Sequence, residues 1–216
     1  MYIPKHFEPT DQAAQAFLGA ITSGHLVSNS IHGLVSTFIP VFYRDASNSI
    51  VGHLARGNPQ WSLGTMQAAL FIATVTDTYI SPSLYASKKL HGKVVPTWDY
   101  MIAHVYGDLI IHDDVDWLRE QVSALTDKFE AARPKPWRVD DAPEDYVAGQ
   151  LKAIVGVELK VTRLEVSFKM SQNKSIEDLD GVIQGLAQEG KSAISEQITQ
   201  LRPADKFQTV GSAEIR

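Results

Sequence analysis

The chain contains no cysteine. That absence excludes disulfides, thiolate metal sites and thiol nucleophiles together, and it suits a reducing compartment. No glycine-rich turn joins a strand to a helix, so neither a dinucleotide fingerprint nor a Walker-type phosphate loop is present. No Gly-x-Ser-x-Gly elbow selects a serine nucleophile. The seven histidines include no pair at helical metal-ligand spacing, and none lies in a His-Glu-x-x-His pattern, so no metal site is expected. An excess of positive charge is missing as well. The formal net charge is −5 and the pI about 5.8, so nothing global draws the chain to DNA or to an anionic membrane. The opening, MYIPKHFEPTDQ, lacks the apolar centre of a signal peptide. A charge-free stretch, 57–76, is interrupted by Asn, Pro, Gln, Ser and Thr, which argues against a membrane span. These absences together point to a cytoplasmic protein.

What is present describes a globular chain. With 216 residues, 44% of them hydrophobic and 21% charged, the length suits one full core with appended helices. The expected domain covers 1–190. A helical and polar tail over 191–216 is expected to be disordered beyond Pro203.

Apolar periodicity predicts a helix over 10–22, on which Ala14, Phe17, Leu18 and Ile21 share a face and after which Gly24 marks the end. Strand patterns follow at 25–30, 34–43, 50–55 and 68–75. Ile31-His32-Gly33 reads as a tight turn and Pro40 as an edge or bulge. The connection over 79–98 is too long for an ordinary hairpin, and loops of that length are often functional. A fifth strand is expected over 100–112, interrupted near Gly107. The clearest helix spans 114–131, with Val115, Leu118, Val122, Leu125 and Phe129 as its apolar stripe and acidic residues in its first turn. A shorter helix starts at Pro143. Residues 155–166 then alternate. Val155, Val157, Leu159 and Val161 face one way and Glu158, Lys160 and Thr162 the other, as in a half-buried strand. Ser175 with Asp178 resembles a capping box before a helix carrying Leu179, Val182, Ile183 and Leu186. The pattern is mainly β with flanking helices, an α+β arrangement that suits an antiparallel sheet closed into a small barrel.

The segments with the most chemistry are not on the helices. In GHLARGNPQW, residues 52–61, a His, an Arg and an Asn lie close together, and Pro59 pushes Asn58 into an extended conformation at a strand end. The Arg56 fork suits a phosphate. His53, three residues before Arg56, is open to a structural or a ligand-lining role, whereas His104, on a strand face with Ile102 and Tyr106, reads as structural. Residues 79–100 gather Tyr79, Ser81, Lys88, Lys93, Thr97, Trp98 and Tyr100. Aromatics can flank a planar ring, and lysines and hydroxyls can hold phosphate. The apolar pinch Val94-Val95-Pro96 argues against a merely solvated loop. In KMSQNK, residues 169–174, Gln172 and Asn173 are turn-formers or hydrogen-bond partners for a heterocycle, and spacing alone does not choose. The carboxylate pairs Asp113-Asp114 and Asp140-Asp141 read as a helix start and a solvated loop. No general acid, base or nucleophile stands out, so any chemistry would belong to a cofactor.

MYIPKHFEPTD, GHLARGNPQW, YISPSLYASK, HGKVVPTWDY and KMSQNK resemble the signature segments of the PaiB-type negative transcriptional regulators, and the resemblance runs from Met1 to about Leu186. Those proteins belong to the FMN-binding split-barrel superfamily, with the pyridoxamine-phosphate oxidases and flavin reductases. The resemblance implies a six-stranded antiparallel split β-barrel of the FMN-binding type and a homodimer with FMN at the subunit interface. It places His53, Arg56 and Asn58 on the flavin phosphate side. It makes Ser81, Lys88, Lys93, Thr97 and Trp98 the completion of the pocket, and matches Gln172 and Asn173 to the terminal Ser-Gln-Asn motif. Two positions depart from the pattern: Leu84 stands where an aromatic is common, and Ala86 where proline is common. Two alternatives accompany this expectation. One is a flavin-dependent oxidoreductase, or a haem-handling relative, acting on a small substrate. The other is a direct DNA-binding repressor, which the acidic balance and the lack of a basic helix-turn-helix disfavour.

Overall fold

The computed structural model describes residues 1–63 and 68–202. The tail expected to be disordered after Pro203 lies outside the described residues. In chain order the elements are α1 (Asp11–Ala20), β1 (Ser23–Ser30), β2 (Gly33–Arg44), β3 (Ser49–Ala55), α2 (Gln60–Leu63), β4 (Ala68–Ile80), α3 (Ser87–His91), β5 (Thr97–His112), α4 (Val115–Glu130), α5 (Glu144–Lys152), β6 (Ile154–Lys169), α6 (Ile176–Gln188) and α7 (Ser192–Gln200). The strands close into a barrel in the order β1-β2-β3-β6-β5-β4. The expected six-stranded antiparallel barrel is the fold.

The register explains how short apolar runs build it. β1 pairs with β2 from Ser23↔Pro40 to Ser30↔Gly33, and β2 then pairs with β3 from Val41↔Gly52 to Arg44↔Ser49. Pro40 therefore sits where β2 passes from one neighbour to the next, a position at which its missing N–H is least costly. The β1–β2 loop is the expected tight turn, with Gly33 at φ 103°. Gly24 does not end α1. It lies inside β1, against the Phe71 ring, and α1 stops at Ile21 in extended backbone. β5 runs unbroken through Gly107, where a Cβ would collide with the Lys160 carbonyl. The glycine permits a close crossing of β6 rather than interrupting the strand.

The chain divides into two compact units that interleave along the sequence. The first comprises 1–2, 9–75 and 102–167. Leu26, Ile39, Val41, Ile50, Phe71, Val157 and Leu159 fill the barrel interior, leaving a void of about 10 Å³, room for roughly one water. No ligand fits there. On the outside, α4 and α5 bury Leu118, Val139, Val147 and Leu151 together, with Trp117, Val122, Ala142 and Ile154 against them. The stripe on α4 differs from the expected one: Val115 and Phe129 are exposed, and Gln121 is fully buried beside Leu118 and Leu125. The buried face is centred on 117–125, so the two terminal apolar residues overhang it. Asp114 caps this helix, its Oδ1 accepting from the Trp117 N–H at 2.8 Å.

The alternation in β6 holds, but its polar face is not solvated at Glu158, which is 5% exposed. Its Oε1 accepts from Ser49 Oγ at 2.8 Å and lies 3.2 Å from Lys160 Nζ. Its Oε2 accepts from His112 Nε2 at 2.9 Å. The His112 ring stacks on Trp117 at 3.9 Å, and Trp117 occupies the space a side chain at Gly156 would need.

The second unit comprises 3–8, 76–101 and the residues from 168 onward. Its core holds Ile80, Tyr85, Met170, Leu179, Val182, Leu186, Ile194 and Ile198. Ser175 caps α6 by accepting from the Asp178 N–H, as the capping-box reading expects. The Asp178 carboxylate turns away from that box. It accepts from the backbone N–H and Oγ of Ser87, both at 2.8 Å, and so caps the short helix α3.

Candidate functional site

Three of the expected site residues belong to the first unit. Arg56 follows the end of β3, and all three nitrogens of its guanidinium are engaged. It forms a double hydrogen bond with the Asp113 carboxylate and donates to the carbonyls of Lys152 (2.7 Å) and Ile154 (3.0 Å). The guanidinium in turn holds the Asp113 carboxyl below its ordinary range. Asn58 is half-buried, donating to Thr37 Oγ1 at 2.9 Å and accepting from the Gln60 N–H, an Asx turn ahead of Pro59. His53 lies on β3 with Nδ1 3.1 Å from Gln121 Oε1. A carbonyl oxygen only accepts, so Nδ1 carries the proton and Nε2 keeps its lone pair. Burial pushes the His53 pKa down, which the Gln121 hydrogen bond only partly opposes.

The other seven belong to the second unit. Ser81 caps the 3₁₀ turn Pro82–Leu84, accepting from the Ser83 N–H, with the two hydroxyls 2.7 Å apart. Lys88 lies on α3 and Lys93 just after it. Both are exposed, and neither ammonium group, nor that of Lys89, has an ion-pair partner among the described residues. Thr97 and Trp98 open β5. Trp98 is exposed and meets the exposed Tyr79 edge-on at 6.3 Å between ring centroids. Gln172 is turned back on its own chain, accepting from the Met170 N–H at 2.7 Å and donating to the Phe168 carbonyl. Asn173 is exposed, with no side-chain partner among the described residues.

Beneath this surface lies a network that motif reading missed. Asp99 is fully buried on β5, and burial pushes its pKa up. Ser171, in the left-handed region at φ 60°, donates to Asp99 Oδ2 at 2.7 Å. Lys169 lies 3.7 Å from Asp99 Oδ1 and donates to Thr97 Oγ1 at 2.6 Å and to the Trp98 carbonyl. Burial pushes the Lys169 pKa down, opposed by Asp99. Tyr85, its hydroxyl buried and unpartnered, has a pKa raised to about 12 by burial first and then by Asp99, Asp178 and Tyr79. The signal for Asp99 was in the sequence: at period two it shares a face with Ala103 and Val105, both buried. No signal marked Lys169 as its partner.

The residues of 79–101 thus present unpaired cations and an exposed aromatic pair over a hydrogen-bonded network, and Asn173 an exposed amide. This fits the needs of a phosphorylated planar cofactor: cations for phosphate, a flat apolar platform for the ring, and polar groups for its edge. Among the described residues no cluster of three or more His, Asp and Glu could hold a metal ion, and no helix is long and apolar enough to cross a membrane.

A six-stranded barrel with flanking helices and such a surface defines a split-barrel protein of the flavin-binding class. Residues 1–163 match the family model described as a putative FMN-binding domain. The chain is 31% identical over 193 residues to the protease synthase and sporulation protein PAI 2 of Bacillus subtilis, covering 88% of this chain and 90% of that one. The chain belongs to this PaiB-type family of putative FMN-binding domains. Among solved structures, it resembles a conserved hypothetical protein of Mycobacterium tuberculosis (TM-score 0.57, 12% identity, 81% of this chain and 94% of that one). It also resembles an FAD- and haem-binding protein of Mycobacterium smegmatis (TM-score 0.56, 17% identity, 79% and 77%). At these identities the likeness establishes the fold alone.

Proposed function

We propose that this chain is an FMN-binding homodimer that acts as a regulator of the PaiB type. In this reading Lys88 and Lys93, with Ser81, hold the flavin phosphate, Tyr79 and Trp98 flank the ring, and Asn173 meets its polar edge. Thr97 and Gln172 shape the floor through the Lys169 network and the 168–172 turn. Arg56, His53 and Asn58 enter as braces of the β3 end, because Asp113, Gln121 and Thr37 of the first unit already engage the Arg56 guanidinium, His53 Nδ1 and the Asn58 amide. The observation that carries the reading is the set of unpaired lysines and exposed aromatics on one segment, anchored by the Asp178 and Lys169 hydrogen bonds. When bound, FMN supplies reversible redox chemistry. The chain's own residues bind it and orient it.

Exposed apolar side chains support a partner copy. In the first unit Leu34 and Phe38 project from one face of β2, and in the second Leu90, Val95 and Trp98 are exposed. The net charge of −5 supports regulation through the bound flavin rather than through direct contact with DNA. Titration of apo-protein with FMN and with riboflavin tests the reading. Replacing both Lys88 and Lys93 with alanine is expected to weaken FMN about ten- to a hundredfold while leaving riboflavin unchanged. Equal FMN affinity in the double variant, or no flavin binding by the parent protein, refutes it.

A further inference from the structure

The first unit carries a second concavity that the flavin reading does not use. It is a cleft of about 250 Å³ between α4, α5 and the barrel wall. Drug-sized ligands usually occupy about 300–1,000 Å³, so this cleft suits a smaller molecule. Its walls are the aliphatic side chains of α4 and α5, with three polar groups among them, His53, Thr126 and Gln150. No Asp, Glu, Lys or Arg lines it. A phosphate or carboxylate would lose its hydration there without a counter-charge, at a large cost.

Two aromatic residues complete the lining, Trp137 at 48% exposed and Tyr146 at 60%. Wet aromatic faces beside an apolar hollow are where a flat ring would recover buried area. The walls are braced. Arg119 on α4 bridges Asp140 and Glu144, tying the segment before α5 and the start of α5 to α4. Glu130 accepts from the backbone N–H of Trp137 at 3.1 Å. His53 is the polar reference point. Its Nδ1 is taken by Gln121, and Nε2 has no partner among the described residues, so the imidazole offers an acceptor.

We infer that this cleft binds an uncharged planar aromatic molecule of one or two rings that donates an N–H or O–H to His53. Flavin is excluded as the occupant by its phosphate and its size. The inference therefore does not rest on the proposed flavin site, and its test makes no use of flavin.

The test is fluorine NMR titration of the full-length protein with 5-fluoroindole, its N-methyl derivative and 5-fluoroindole-3-carboxylate. The expected result is saturable binding of 5-fluoroindole with a Kd of about 1 mM or tighter. The N-methyl compound, lacking the donor, should bind about tenfold more weakly, and the carboxylate should not saturate. Thr126→Trp and, separately, Ala142→Leu fill the cleft from opposite walls. Each is expected to lower 5-fluoroindole affinity at least about tenfold, with folding checked by circular dichroism. Undiminished binding in a folded variant overturns the inference. So does equal or tighter binding of the N-methyl compound or the carboxylate by the parent protein, or no saturation by 5-fluoroindole at about 10 mM.

Discussion

Replacing Glu158 with glutamine isolates the electrostatics of the β6 outer face. The substitution keeps the shape of the side chain and removes its charge. In the structure the carboxylate accepts from Ser49 Oγ and His112 Nε2 and neutralises Lys160, at 5% exposure. An amide offers one acceptor where the carboxylate offers two. With that oxygen toward His112 Nε2, its NH₂ donates to Ser49 Oγ, which accepts while donating to the Ser47 carbonyl, and Lys160 loses its acceptor. Loss of the charge and of the Lys160 contact costs about 1–2 kcal/mol. His112 and Lys160 retain some access to water, which keeps the value from rising further. Urea unfolding followed by tryptophan fluorescence reads this as a midpoint lowered by roughly 0.5–1 M, at an m-value of about 2 kcal/mol/M.

The pH dependence supplies a second reading. The pKa of Glu158 is lowered in the folded state: burial opposes ionisation, and the hydrogen bonds from Ser49, His112 and Lys160 outweigh it. A depressed carboxyl pKa adds stability above the unfolded glutamate value of about 4.3 and loses it as pH falls through the folded value. The difference between parent and variant should therefore be full at neutral pH and shrink in that acid window. A variant within about 0.5 kcal/mol of the parent at pH 7, or a difference that grows on acidification, refutes the assignment.

Two further substitutions test the packing. Gly107→Ala places a Cβ against the Lys160 backbone carbonyl and should cost more than about 3 kcal/mol or prevent folding. Gly57→Ala, with nothing near the added Cβ, should unfold within about 1 kcal/mol of the parent in the same urea assay. Asp178→Ala removes both contacts that cap α3 and should lower the unfolding free energy by about 1–2 kcal/mol, a loss that Asp178→Asn should partly restore.

The sequence disclosed element types better than element ends, and chemistry better than pairing. Apolar alternation located every barrel strand, because each presents one face to a common interior. It under-measured β4 and β5. Buried Thr78 and Asp99 are polar, so they read as loop although they lie on inward positions. Periodicity also misplaced the solvent. Alternation in β6 marks Glu158 as outward, and only the fold shows His112 and Trp117 covering that outer face. The stripe on α4 held at Leu118, Val122 and Leu125 and missed Gln121, which is buried but carries no apolar signature. At the candidate site, the density of lysines and aromatics over 79–101 was legible at once. The engagement of Arg56 by Asp113 was not, because it joins residues 57 positions apart and charge patterning cannot see across that separation. The family resemblance, carried by those same segments, supplied the barrel that periodicity alone left as one of several small-barrel arrangements.

The family match stops at residue 163, inside β6, yet the second unit's core draws two of its buried members, Ile80 and Tyr85, from before that point and six from after it. The end of the family-model match is thus not a boundary of cohesion. Ile80 and Tyr85 lie within the segment proposed to hold the cofactor, and α6 and α7, which share their core, lie beyond the end of that match. A lineage that remodels α6 and α7 must change those two positions in concert, or the cofactor segment loses its seat. A stretch beyond the family-model match thereby keeps a hold on a stretch inside it.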